Sequence, residues 1–349
     1  MAKPQQPDAI IQADDFIKSA DRNPGNDEGR VPLLEANERI DPVFLNDMDL
    51  GDGSDGDVTI SSSTTLTRDM YYANLTVNDT LITNGYRIYV SETLSGTGTI
   101  KNTGSDGGDG GDASSNSNGG GGTGADSTGS GPFKTGAGAN GGGGPSGNNE
   151  DGQDGGNTTD GNYGPASPDG GVGGRGTDSS GNAGDGGEEG SKTILVQLSP
   201  TALTVLGIGL SPLMAIEGIT KRGGNGGGGG SRNNGFSGER AGGGGGGGAS
   251  GGTIWIACGT FAGTFAIETE GGKGGKGGDG RGSGGAGGGG AGGNGGDLII
   301  FFKVKTWTGT SSLIGGVGGD GGTSPGSAVG GEQPGDDGAD GILYEQQIS

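Results

Sequence analysis

Histidine is absent from this chain, and cysteine occurs once, at Cys258. The first absence removes the commonest metal ligand and the commonest general base. The second rules out an intrachain disulfide, and the apolar run "TIWIAC" around Cys258 points to a buried, inert thiol. Apolar residues are scarce at 26%, and aromatics at 5%, too few for an ordinary core spread evenly along 349 residues. Basic residues are outnumbered, 20 against 42 acidic, giving a formal net charge of −22. Such a chain repels phosphates, so no nucleic-acid partner is expected. The start "MAKPQQPDAIIQADD" has no basic stretch followed by an apolar one, so no signal peptide is expected. No G-x-x-x-x-G-K-[ST] loop occurs. "GASGG" and "GTSPG" match a nucleophile-elbow pattern at Ser250 and Ser324, but no histidine exists to activate either hydroxyl. Carboxylate-only catalysis needs a marked acidic pair, and none stands out, so the reading is non-enzymatic.

What the chain has is glycine, 96 residues of it, with 13 prolines. That composition is the usual mark of low-complexity disorder, yet it is not evenly spread. Residues 1–56 have ordinary composition. Ile10, Ala13, Ile17 and Ala20 predict a short helix, and the segment is expected to attach to a partner or to copies of itself. In "DMDLGDGSDGD", Asp47, Asp49, Asp52, Asp55 and Asp57 crowd together. The spacing is not that of an EF-hand and no glutamate closes the loop, so a solvated linker is expected ahead of a calcium site. Residues 57–103 are rich in Val, Ile, Thr and Tyr in short runs between turn residues, a β-helix-like or meandering module. "LITNGYRI" places Asn84-Gly85 between two such runs, a turn signal.

Residues 104–349 alternate glycine-rich tracts (104–191, 223–252, 271–297 and 315–341) with apolar pieces. "TIWIACGTFAGTFAIETE" and "DLIIFFKVKTWTGTSSLI" repeat one plan: a strand, a glycine turn, a short return, then a Gly-Gly-X run. The returns are expected to be β-hairpins. "ILVQLSPTALTVLGIGLSPLMAI" (194–216) carries no charge over twenty-three residues. Its prolines, glycines and β-branched residues favour buried strands over a membrane span.

Gly-Gly-X has the three-residue period of the polyproline-II helix, which makes no internal hydrogen bonds. Its N–H and C=O groups point outward and must find partners on neighbouring helices. Faces that meet neighbours must then be glycine, while the outward face carries anything. In 271–280 the third residues are Lys273, Lys276 and Asp279; in 105–112 they are Asp106, Asp109 and Asp112. The alternative is flexible linkers between hairpins, and isolated hairpins are marginal in water. The expected fold is therefore mainly β and irregular: a short-strand β module followed by a polyglycine-II helix sandwich interleaved with β-hairpins.

Gly-Gly-X tracts alternating with short apolar strands resemble the polyglycine-II sandwich domains of bacteriophage tail-fibre adhesins. "EGRVPLLEANERIDPVFL" (28–45) is similar to a segment recurrent near the N-termini of phage tail-fibre and related virion proteins, with Asn37-Glu38 where a turn glycine is usual. The resemblance implies a virion protein released by lysis, commonly trimeric. Its loops between glycine helices would contact a host-surface receptor, a glycan or an outer-surface protein, and residues 1–56 would join other virion subunits. No cofactor or metal is implied. Receptor contacts are expected where the register breaks and larger side chains appear: Phe133 and Lys134, Asn162 and Tyr163, and Arg232, Asn233, Asn234 and Phe236. The rival role for these residues is to cap or wedge the sheaf. Two further functions remain open: a self-assembling subunit of a filament, appendage or capsid, and an ice-binding face, which the charged third positions disfavour.

Overall fold

The computed structural model describes residues 50–145, 151–158, 170, 223–231, 239–325 and 333–348. The chain divides into two compact units, one of Met1–Asp49, Leu198–Ile216 and Ile348–Ser349, the other of Leu50–Gln197 and Glu217–Gln347. The second unit holds nearly all the described residues. The short helix expected near the N-terminus and the uncharged run 194–216 lie outside them. Among the described residues no helix is long and apolar enough to cross a membrane.

The strands are β1 (Gly56–Ile60), β2 (Thr64–Thr65), β3 (Met70–Val77), β4 (Thr80–Ile82), β5 (Ile88–Gly96), β6 (Thr99–Lys101), β7 (Ile254–Phe261), β8 (Ala266–Glu268), β9 (Leu298–Lys305), β10 (Ser311–Ser312) and β11 (Leu343–Gln347). Odd strands form one six-stranded sheet in the order β1-β3-β5-β7-β9-β11. Even strands form a second, in the order β10-β8-β6-β4-β2. Every strand pair is parallel. The chain therefore winds as a solenoid, each coil giving one strand to each sheet. The expected β-hairpins are corrected accordingly. "TIWIA" and "FAIE" lie in different sheets, and Gly263 (φ +92°) makes the corner between them. Asn84 (φ +55°) and Gly85 (φ +82°) do form a tight turn, but it carries β4 to β5 across the sheets.

Parallel stacking in register places like residues over like. Met70, Ile88, Ile256 and Ile300 form one row, and Tyr72, Val90, Cys258 and Phe302 another. Leu81, Ile100 and Ile267 face them from the second sheet. Burial pushes the Cys258 thiol up to about 12, so it stays protonated as a small apolar filler. The extra residue of β5 is tied down by Asn74, which donates to Asp57 at 2.9 Å and Glu92 at 2.8 Å and accepts from the Thr93 N–H at 3.2 Å. At the corners Phe265 packs edge-on to Phe261, and the Trp307 Nε1–H donates to the Phe265 carbonyl at 2.9 Å.

The first coils are joined by short turns. The connections leaving β6, β8 and β10 carry the glycine tracts instead, which run out from the solenoid and back. Tract 242–251 shows how they are held. All ten of its N–H groups are bonded, in a cycle of three. Gly242, Gly245, Gly248 and Gly251 donate to Gly285, Gly288, Ala291 and Asn294. Gly243, Gly246 and Ala249 donate to Gly111, Gly108 and Ser105. Gly244, Gly247 and Ser250 donate to Gly142, Ala139 and Gly136. Its carbonyls accept in the same rhythm from tracts 119–125, 224–230 and 272–278. One strand of chain thus bonds sideways to six neighbours, every direction repeating at three residues. A Cβ on Gly246 would lie 2.1 Å from the Thr123 carbonyl oxygen, which is why that position carries no side chain.

At the outer tracts, where a neighbour is missing, a short side chain supplies the acceptor. The Lys273, Lys276 and Asp279 N–H groups donate to Oδ1 of Asp106, Asp109 and Asp112, each at 2.8 Å. Asn140, Asp337 and Asp340 do the same for Gly124, Gly318 and Gly315. The Gly-Gly-Asp pattern is therefore structural as well as solvating, because an aspartate oxygen stands where the next carbonyl would be.

Candidate functional site

The tracts end on the side away from the solenoid, and their described ends are bonded to one another. The turn after tract 104–112 is built on Ser114, whose Oγ accepts from the Ser117 N–H at 3.1 Å. The neighbouring Ala113 N–H donates to the Asp279 carbonyl at 2.9 Å. Asp279 Oδ1 accepts from the Thr323 N–H at 2.8 Å, and Ser324 Oγ from the Ala286 N–H at 2.9 Å. Gly285 donates to the Ser231 carbonyl, and Arg240 and Arg281 exchange backbone bonds at 3.1 and 2.9 Å. Asn118 joins the same end through Pro145. The described ends of the tracts, around 113–118, 145, 231, 239–240, 279–286 and 323–324, are thus tied into one distal face by main-chain and side-chain bonds, a platform for whatever the connections display.

Electrostatics at this face follow from those contacts. The Thr323 N–H, assisted by the Lys276 ammonium at 3.2 Å, holds the Asp279 carboxyl below its ordinary value of 3.8 despite partial burial. In the solenoid, the Arg68 guanidinium does the same for Asp55. A carboxyl whose folded value is depressed contributes stability above its unfolded value, and that contribution is lost as pH falls through the folded value. Urea unfolding at pH 7, 4, 3 and 2 is therefore expected to show stability falling below about pH 4. The Asp279→Asn variant, which keeps an oxygen for Thr323 but never carries charge, should show a shallower fall; an unchanged slope would remove Asp279 from the account.

Of the residues singled out from sequence, Asn162, Tyr163, Arg232, Asn233, Asn234 and Phe236 lie outside the described residues. Ser231 and Glu239, which flank the last four, both sit at the distal face. Phe133 does not. It is 2% exposed, at the opposite end of the bundle, where its N–H donates to the Gly85 carbonyl and the Arg87 guanidinium lies 5.0 Å over its ring. Phe133 is thus corrected from receptor contact to wedge: its apolar ring fills the junction between a tract loop and the Asn84-Gly85 turn. Lys134 beside it is exposed.

Asp52, Asp55 and Asp57 do not converge. Asp52 accepts from the Ser54 N–H, Asp55 binds Arg68 and the Tyr71 N–H, and Asp57 accepts from Asn74. No cluster of three or more metal-ligating side chains occurs among the described residues. Ser250 and Ser324 each accept a backbone N–H, from Gly136 at 2.8 Å and Ala286 at 2.9 Å.

Sequence reading missed Arg240, Arg281 and Ser283 at the distal face. The rule applied elsewhere, that large side chains interrupting Gly-Gly-X mark exposed turns, would have selected Arg281 in "GGDGRGSGG". Comparison of the chain with protein-family models, with curated proteins and with solved structures yields no match.

Proposed function

We propose that this chain is a non-enzymatic virion protein, a tail-fibre or adhesin subunit whose glycine tracts are polyglycine-II helices. They hold distal turns rigid for binding a host-surface glycan or protein. The observation that carries the reading is the meeting of the tract ends on one face, at the far end of a bundle held by period-three main-chain bonds. Binding through turns already ordered loses little conformational entropy, so modest contacts suffice. In this reading residues 1–56 join the subunit to the rest of the virion, and the working form is a homo-oligomer, as trimeric fibres are.

The test is adsorption of the purified full-length protein to a panel of bacterial cells. Replacing residues 232–238 by a Gly-Ser segment of equal length is expected to lower adsorption at least tenfold with the melting temperature unchanged. Equal adsorption by the two proteins would defeat the assignment.

A second reading, a self-assembling filament or capsid subunit, has one observation in its favour. Among the described residues the outermost strands β1 and β11 each pair on one side only, and Leu343 on β11 is 42% exposed. Open strand edges recruit further strands. Sedimentation across a hundredfold range of concentration separates the two, since a fixed small oligomer fits the adhesin and a growing series fits the filament.

A further inference from the structure

Four arginines fall among the described residues, and they are placed in two ways. Arg68 and Arg87 rest on aspartates, Asp55 and Asp69. Arg240 and Arg281 face each other. Their reciprocal backbone bonds, 3.1 and 2.9 Å, make an antiparallel bridge at the distal face. Residues so paired stand directly opposite, roughly 5.5 Å apart at Cα, with side chains leaving the same side. Like charges in that position are mutually destabilising.

Among the described residues no carboxylate relieves them. The nearest acid in sequence, Glu239, gives Arg240 its backbone carbonyl, at 2.8 Å, and turns its carboxylate away to accept from the Ser283 hydroxyl. Its other oxygen is buried without a donor among the described residues. Neither guanidinium makes an ion pair among the described residues. That bond between Glu239 and Ser283 closes the turn around Gly282 (φ +63°) and so fixes Arg281 relative to Arg240. The molecule therefore holds two cations together, preorganised and partly open to solvent, on a chain whose net charge of −22 keeps anions away elsewhere.

An oxyanion is what two adjacent guanidinium forks fit, each giving paired N–H bonds to carboxylate or phosphate oxygens. We propose that Arg240 and Arg281 form a binding site for the anionic group of a surface glycan, the carboxylate of a uronic acid or a sugar phosphate. Glu239 and Ser283 act as positioning residues. The glycan source rests on the adhesin reading; the oxyanion chemistry rests on the two arginines.

The test is calorimetric titration of the full chain with glucuronate, glucose 6-phosphate, inorganic phosphate and glucose at constant ionic strength. Saturable binding of glucuronate or a phosphate compound is expected, with none of glucose, and the stronger ligand identifies the source. Arg281→Ala should weaken binding at least tenfold, while Lys303→Ala, an equal charge change elsewhere, leaves it intact. Without ligand, Arg281→Ala should melt no lower than the parent, since it relieves the repulsion. Equal binding by Arg281→Ala and the parent, or no saturable binding of any anion, would overturn the site. Cell adsorption is scored separately: adsorption that survives loss of the arginines leaves the adhesin standing without this site, and anion binding without adsorption leaves the site standing alone.

Discussion

Gly246→Ala is expected to destabilise the protein by about 3 kcal/mol or more, and Gly120→Ala to leave it unchanged or slightly more stable. Both residues lie in glycine tracts, and composition does not distinguish them. A Cβ on Gly246 would sit 2.1 Å from the Thr123 carbonyl oxygen and 2.4 Å from its carbon, far inside contact distance. Both partners are main chain, so no rotamer change can make room. Relief requires tract 242–251 to move away from tract 119–125, and that motion strains the bonds to the other five neighbours. At Gly120 a Cβ would meet nothing within 4 Å. The residue is exposed, and alanine there only narrows the unfolded ensemble, worth about 0.4–1 kcal/mol in favour of folding. Denaturant unfolding of the two variants beside the parent checks the pair. Equal effects would mean that the tracts are not packed as described.

The contrast shows where sequence reasoning was sufficient and where it ran out. The three-residue period was legible, because Gly-Gly-X allows no other repeat. So was the turn at Asn84-Gly85, where two positive φ values need those residue types. Strand direction was not legible. "TIWIACGTFAGTFAIE" reads equally as a hairpin or as two strands bent around a corner. What decides is the partner across the sheet, and for Ile256 that is Ile88, far earlier in the chain. The aspartates of Gly-Gly-Asp were read as solvent-facing charge, which is half their role. Asp106 and Asp109 are exposed, yet each also completes a main-chain bond. No pattern within tract 104–112 announces this, since the donor lies on another tract. Phe133 misled for a related reason. A lone aromatic among glycines marks either an exposed contact or a wedge, and only the nearness of Arg87 and Gly85 selects the wedge.

Amide exchange in tract 242–251 is expected to be slowed roughly a thousandfold or more relative to an unstructured glycine peptide. The reading of the tracts as polyglycine-II helices turns on that number. Ten consecutive N–H groups in this segment are bonded, all to other parts of the chain and none within the segment. No single neighbour can release them. Opening the bonds to tract 105–111 frees Gly243, Gly246 and Ala249, but Gly244 and Gly245 stay held by tracts 136–142 and 285–294. Exchange of the whole segment therefore needs the bundle to come apart, and the ten amides should share one slow rate. A tract at the rim differs. Lys273 and Lys276 donate to single aspartate oxygens at exposed positions, so local fraying frees them and their exchange should be much faster. A central tract that exchanges as fast as the rim would make it a linker, and a linker cannot hold the distal turns in place for a receptor. Slow exchange shared across 242–251, graded outward to the rim, is the result expected of a scaffold bonded sideways in six directions.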